Sequence, residues 1–350
     1  MPIELTAVEA RRLRWHTHLL GGSELAPAAV VRRAVALQGQ DLPAVLRAIA
    51  IRSRPGTGVA EVRAAFDAGT LVRSWPMRGT LFATTPDHLA ALLHFTAERT
   101  HRAAARRRAQ LGLDDAVVGR ARDVLQEALA ERPLSRAEAL GRWEEGGVAT
   151  AAGRGYHLLM HLAVDGLVHW GPFADDGSQQ LLVLSPSGAP GDPEVALAEV
   201  VHGFVVARGP VTEADLAWWT KLPKALLRRA MSAVDGLVEV SVGGTPAWLV
   251  GEPLAAGTSE VTLVPAFDEW VLGYADRSLI ATPRMLDALV PGGNGVFRAA
   301  VLVDGVAVGT WRRVRPTRAA PARLALDLVE PVPAATRRAI ERALEAWPHG

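Results

Sequence analysis

The hexapeptide AVDGLV stands at residues 163–168 and again, unchanged, at 233–238. What surrounds each copy also matches, so the pair marks an internal repeat. Upstream lie PLSRAE (133–138) and PVTEAD (210–215), each written like the start of a helix. Ser135 or Thr212 serves as N-cap, and Glu138 or Asp215 reaches back from three residues on. Between cap and repeat, apolar positions in GRGYHLLMHL and PKALLRRAMS recur at three and four residues, which predicts a further helix. Gly166 and Gly236 end these helices in the left-handed conformation. LVHWG…QQLLVLS and LVEVSV…PAWLV then read as strands around the turns ADDGS (174–178) and GGT (243–245). A helix also precedes each cap, near 115–130 and 193–207. The unit is therefore helix, capped helix, helix, hairpin, the order of a winged helix-turn-helix.

A degenerate copy comes first, with helices near 6–20, 28–37, 42–51 and 59–68; DAGTLVRSW echoes the repeat, and a hairpin follows over 71–85. From about residue 258 the segments EVTLVPAFDEWVLG, GVFRAAVLVDGVAVGTWRRVR and ARLALDLVE read as strands. Asp304-Gly305 is a tight-turn signal, and an amphipathic helix follows over 334–347. The expected fold is α+β. Three tandem winged helix-turn-helix units (1–112, 113–190, 191–256) precede a small C-terminal β-barrel-like domain (257–350). The plainer alternative is that the same helices pack in an ordinary α+β domain.

With 350 residues, 49% of them hydrophobic, the chain can bury a multi-module core. A formal net charge of +1 leaves any nucleic-acid affinity to local basic patches. No cysteine is present, which excludes a disulfide framework, a thiolate nucleophile and a cysteine zinc site. The first residues, MPIELTAVEARRLRW, lack a signal-peptide apolar region, and later apolar runs are short. A cytoplasmic monomer with no membrane contact is expected. Lysine occurs only at 221 and 224, alongside many arginines, alanines and glycines; this pattern fits a GC-rich genome.

ALQGQD (36–41) sets two neutral amides around a glycine. In a continuous helix Gln38 and Gln40 would point about 200° apart. Gly39, the N-cap type Asp41 and Pro43 predict a break between two helices, where both amides can converge. One reading is that they cap backbone groups at the corner. The other is catalytic and needs a reaction that tolerates weak groups. Cleavage of the N-glycosidic bond of an alkylated purine is such a reaction, because alkylation at N7 or N3 makes the base a cationic leaving group. What remains is to place a water and to stabilise a developing oxocarbenium with oriented dipoles. Asp41 is the neighbouring carboxylate and a secondary candidate.

VVRRAVALQGQDLPAVLRAIAIRS, VRSWPMRGTL, LVPAFDEWVLGYADRSLI, PGGNGVF and LVDGVAVGTWRR, in that order, resemble the winged-helix DNA glycosylase family of AlkZ and YcaQ. The resemblance spans nearly the whole chain. It implies tandem winged helices and a C-terminal β domain around a DNA cleft. It also implies excision of N-alkylated purines, bulky adducts or interstrand crosslinks, some of them made by natural products. Gln38 and Gln40 match the family's Gln-x-Gln form. Gly39 stands where a bulky aliphatic residue is common, and Phe82 where a histidine is. The implied partner is double-stranded DNA containing alkylated purines. No cofactor is called for and no lyase step is expected. The alternative function is a non-catalytic winged-helix DNA binder, either a transcription regulator or a damage sensor.

DNA contacts are expected from Arg78 at the first hairpin, from Arg106 in ERTHRAAARRRAQ (with Arg99, Arg102, Arg107 and Arg108), from Arg312 and Arg313 in WRRVRPTR (with Arg315 and Arg318), and from Arg277 in ADRS. Asp268 in PAFDEW is either a cleft residue or an internal ion-pair partner. His157 and His161 lie four apart, with His169 downstream, but no H-E-x-x-H pattern accompanies them and no metal is assigned. PGGNG lacks the Lys-Ser/Thr of a phosphate loop. Trp218 and Trp219 read as core residues.

Overall fold

The computed structural model describes residues 2–186, 190–252, 257, 260–293, 295–314 and 323–347; Arg315 and Arg318 lie outside them. The chain opens with β1 (Ile3–Leu5) and α1 (Ala7–Thr17), then α2 (Pro27–Ala34), β2 (Ala36–Gln38), α3 (Leu42–Ala50), α4 (Val59–Asp67), the hairpin β3 (Val72–Met77) and β4 (Thr80–Thr84), and α5 (Pro86–Gln110). The helix expected over 28–37 ends early, at Ala34. Residues 36–38 instead pair antiparallel with β4, Gln38 opposite Phe82. The switch happens at Val35, a fully buried β-branched residue held at φ 66°, a conformation that costs roughly 1–3 kcal/mol. Thr84 Oγ1 donates to the Val35 carbonyl at 2.7 Å, and other bonds described below hold the carbonyls on either side. Those contacts come from distant segments, so the run AVAL could not reveal the switch.

Two further segments repeat one order. The first is α6 (Asp115–Glu131), α7 (Arg136–Glu145), α8 (Arg154–Val164), β5 (Val168–Phe173) and β6 (Gln180–Leu184). The second is α9 (Pro193–Arg208), α10 (Glu213–Thr220), α11 (Lys224–Ser232), β7 (Leu237–Val242) and β8 (Thr245–Val250). Reciprocal caps form at both expected places, Ser135 with Glu138 and Thr212 with Asp215. Gly166 and Gly236 take φ 76° and 73°. A residue between the first two helices of each segment bridges to its hairpin, Leu134 to Leu182 and Val211 to Trp248. β2 does the equivalent for the first segment. The segments share sheets: β2-β4-β3-β5-β6 is continuous through Arg73 opposite Trp170, and β1 joins β7 in parallel. Helix α9 is central, its Val200, Val201, Phe204 and Val205 packed with Phe82, Trp219 and Tyr274.

The last part contains β9 (Val261–Val264), α12 (Glu269–Leu272), α13 (Pro283–Leu289), a single helical turn at Pro291–Gly293, β10 (Ala299–Val303), β11 (Val306–Val314), β12 (Arg323–Leu328) and α14 (Ala334–Glu345). The expected barrel is not formed. The sheet is an open antiparallel ribbon, β12-β11-β10-β9. Closure is unnecessary because both faces are covered. Ile340 and Leu344 of α14 pack on Leu263, Val301 and Trp311, while Trp15 and Met285 pack with Val264 and Leu302 on the other side. DEWVLG, expected as strand, folds into α12, with Asp268 capping the Trp270 amide at 2.8 Å. Among the described residues no helix is long and apolar enough to cross a membrane.

Candidate active site

Gln38 ends β2 and Gln40 follows at a bend two residues on, and the hydrogen bonds of both side chains bring them to one place. The pair thus meets at a strand end and not at the expected helix-helix corner. Both side chains run to the start of β4. Gln38 Nε2 donates to Thr80 Oγ1 at 3.2 Å, and Gln40 Oε1 accepts from the Leu81 amide at 3.3 Å. Gln38 Oε1 also accepts the Gln40 amide at 2.9 Å. Gln38 is buried and Gln40 exposed. Gly39 between them donates its amide to Leu81 O at 2.7 Å and accepts from Arg73 Nε at 2.8 Å. Arg73 Nη1 is held by Gln180 at 2.8 Å. A Cβ on Gly39 would sit 3.0 Å from the Ala83 nitrogen and 3.1 Å from the Phe82 carbonyl carbon. The glycine is required by this close approach of two backbones, not as a helix stop. Asp41 caps α3, accepting the Ala44 amide at 2.9 Å.

Beneath the pair lies a buried charge pair that sequence reasoning missed. Glu269, 2% exposed, accepts the Gln38 backbone amide at 3.1 Å through Oε1. Its Oε2 accepts from Arg208 Nη2 and Trp219 Nε1, each at 2.9 Å. Arg208, 1% exposed, also donates to the carbonyls of Ala34 at 3.0 Å and Ala36 at 2.9 Å. One buried ion pair therefore grips the backbone on both sides of strained Val35 and at Gln38. The neighbouring Asp268 faces Arg52 instead, in a two-pronged buried pair at 2.7 and 2.9 Å; it is an internal ion-pair partner. His18 is fully buried beside these cations, and burial first, then Arg52 and Arg208, push its pKa well below the usual histidine range.

Two cationic groups flank the glutamines. Arg78 forms the β3–β4 turn at φ 59°, two residues from Thr80. Its guanidinium lies over Trp218, as do those of Arg277 and the ammonium of Lys221. Trp218, expected in the core, is only half-buried; Trp219 is fully buried. On the other side a groove is lined by Asp41, Arg47, Phe267, Phe297, Arg298, Arg312 and Arg313. Arg106 is exposed on α5, far along the helix from its packed end, and Arg102 and Arg108 pair with Glu98 and Asp115. The structure gathers Arg78 and Arg277 together and sets Arg312 and Arg313 on a separate wall.

The profile of a family described as DNA glycosylase AlkZ-like matches residues 31–349. The chain belongs to the AlkZ-like DNA glycosylase family. Among solved structures, the Streptomyces sahachiroi DNA glycosylase AlkZ shares the fold with a TM-score of 0.80 at 22% identity, over 98% of this chain and 96% of that one. No curated protein matches. Of the two departures from the AlkZ-like pattern, Phe82 lies in the core, its ring edge-on to Trp219 at 6.2 Å. It supports the wall behind Glu269 and, paired directly with Gln38 across the β2–β4 ladder, stands on the same sheet face as that side chain.

The histidines do not converge as numbered in the sequence. His169 is buried in β5 against Ser185, and burial pushes its pKa down to about 4. His161 meets His101 and Asp165, with ligand atoms within 4.8 Å of one another. Arg122 is already hydrogen-bonded to Asp165, and Arg108 sits 3.4 Å from His161 Nδ1. Two guanidinium groups on one carboxylate and one ring disfavour a cation there.

Proposed function

We propose that the chain is a monofunctional glycosylase of double-stranded DNA that hydrolyses the N-glycosidic bond of N-alkylated purines, acting as a monomer without a cofactor. The three repeated segments are taken as winged helix-turn-helix units and the open sheet as the fourth module of the DNA cleft. The observation that carries the chemistry is the state of the two amide oxygens. Each has two acceptor positions. One on Gln38 is taken by the Gln40 amide and one on Gln40 by the Leu81 amide. The remaining acceptor on each is available to a single water. That water is delivered to the sugar carbon as the cationic base departs, and the same dipoles stabilise the developing positive charge. No strong general base is needed. Asp41 spends its carboxylate on the α3 cap and is secondary. Because the Gln38 amide and the carbonyls before it are pinned by Arg208 and Glu269, the amides are held in place before substrate arrives.

The test is base release from N7-alkylguanine duplex DNA, read as alkali-labile sites. The wild-type chain should produce them without strand cleavage by itself. Gln38→Ala/Gln40→Ala should bind the duplex and release nothing; undiminished release by that variant would refute the assignment.

A further inference from the structure

The three cations around Trp218 come from three separate parts of the chain: the β3–β4 turn, the residue after α10 and the loop after α12. Lys221 Nζ lies 3.6 Å from the ring centroid, and the guanidinium carbons of Arg78 and Arg277 lie 5.3 and 5.6 Å away. Among the described residues none of the three meets a carboxylate at ion-pair distance. Arg14, Arg52 and Arg208, the fully buried arginines of this region, each do. Arg78 Nη1 and Arg277 Nη2 are buried without a hydrogen-bond partner, and Arg277 uses only Nε, on the Val271 carbonyl at 2.6 Å.

Burial lowers the pKa of all three, and Arg78 lowers Arg277 and Lys221 further, while Glu269 acts the other way on Arg78, as do Asp215 and Asp276 on Arg277. They nevertheless stay charged at neutral pH. Like charges that converge with no carboxylate in ion-pair contact, and with guanidinium hydrogens left over, are unfavourable in the free protein. An anion with two free oxygens would satisfy both the charge and the orphan donors. The Arg78 turn leads directly to Thr80, which holds Gln38.

Resting on the reading that the chain acts on damaged DNA, we propose that Arg78, Lys221 and Arg277 around Trp218 form the seat of one phosphodiester of the lesion strand, beside the nucleotide being cleaved. The seat fixes the register of that strand so that the sugar carbon faces the two glutamines. Lys221 and Trp218 join the site through this role.

The experiment is a methylphosphonate scan, which removes one backbone charge at a time from a short duplex containing an abasic-site analogue, with binding followed by fluorescence anisotropy. The wild-type chain should lose about tenfold in affinity at one position of the lesion strand next to the analogue. Lys221→Gln/Arg277→Gln should bind about tenfold more weakly and no longer respond at that position, as coupled groups do in a double-mutant cycle. Lys221→Arg/Arg277→Lys should keep the response. If the double variant does not fold, the single Lys221→Gln, at a half-buried position, supplies the cycle. A wild-type chain indifferent to every flanking phosphate, or a neutralised variant that still responds at the same position, overturns the proposal. Base release from alkylated DNA is measured separately. Its absence with the phosphate response intact would sink the glycosylase reading and leave the seat standing.

Discussion

Glu269→Gln isolates the charge beneath the glutamines while keeping the shape. The carboxylate receives four donors: the Gln38 amide, Arg208 Nε and Nη2, and Trp219 Nε1. A glutamine has one acceptor oxygen, so either orientation turns an NH2 group toward a donor. If the oxygen faces Arg208 and Trp219, the Gln38 amide loses its acceptor. If it faces Gln38, Arg208 is left as a buried charge confronting another donor. Removing one partner of a buried ion pair costs about 3–5 kcal/mol. Unfolding entropy of about 2.1 cal/mol/K per residue over 350 residues gives roughly 0.7 kcal/mol/K, so the melting temperature should fall by about 4–7 °C. The assay is calorimetric or circular-dichroism melting at neutral pH, with single-turnover base release measured well below the transition. Release should slow as well, since the strand end carrying Gln38 loses its anchor. Adding Arg208→Met should restore part of the stability, because the orphaned charge is then removed too. A Glu269→Gln variant melting within about 1 °C of the parent would refute the argument.

Gly39→Val should destabilise by about 1–3 kcal/mol and impair base release, because its Cβ would press on the β4 backbone at 3.0 Å; unchanged melting and rate would show that β4 can yield. Acid should weaken the fold in a window set by buried histidines. His18 is held well below its usual pKa, and His161 and His169 are held at about 4, by burial first in each case. All three are neutral when folded, whereas the unfolded chain titrates them near 6.5, so their stabilisation is complete above that pH and is lost as pH falls from about 6.5 toward 4. The slope is up to about 1.4 kcal/mol per pH unit for each, and equal urea stabilities at pH 7.5 and 5.5 would contradict it. Lys221→Gln, which relieves repulsion from Arg78 and Arg99, should raise the melting temperature by about 1 °C in low salt and by less in high salt; a lower melting temperature at both would count against an uncompensated cluster.

The features legible in the sequence were local. The duplicated AVDGLV, the Ser135–Glu138 and Thr212–Asp215 caps and the left-handed glycines are written within a few residues of where they act, and the structure has them where expected. β1 was not legible, because three residues with no pattern pair in parallel with β7 far along the chain. The residues of β2 read as helix in the sequence, since an apolar run of four suits either a buried helix or a buried strand. The Gln-x-Gln pair is visible in the sequence, but its support is not. Glu269 stands beside Asp268, and nothing local says which carboxylate faces Arg208 and which faces Arg52. The Trp218-Trp219 doublet hides the same ambiguity, because successive helical residues point about 100° apart and only packing decides which one is sealed.

A bond that joins Gln38 to a side chain 231 residues away has a further meaning. An enzyme that severs bases from the genome is hazardous if it works while half-assembled. Here the N-terminal segment supplies the two glutamines, while the carboxylate that holds the Gln38 amide comes from α12, far along the chain. The anchor of Gln38 therefore exists only when both parts of the chain are folded together, and a cut between them should loosen this strand end.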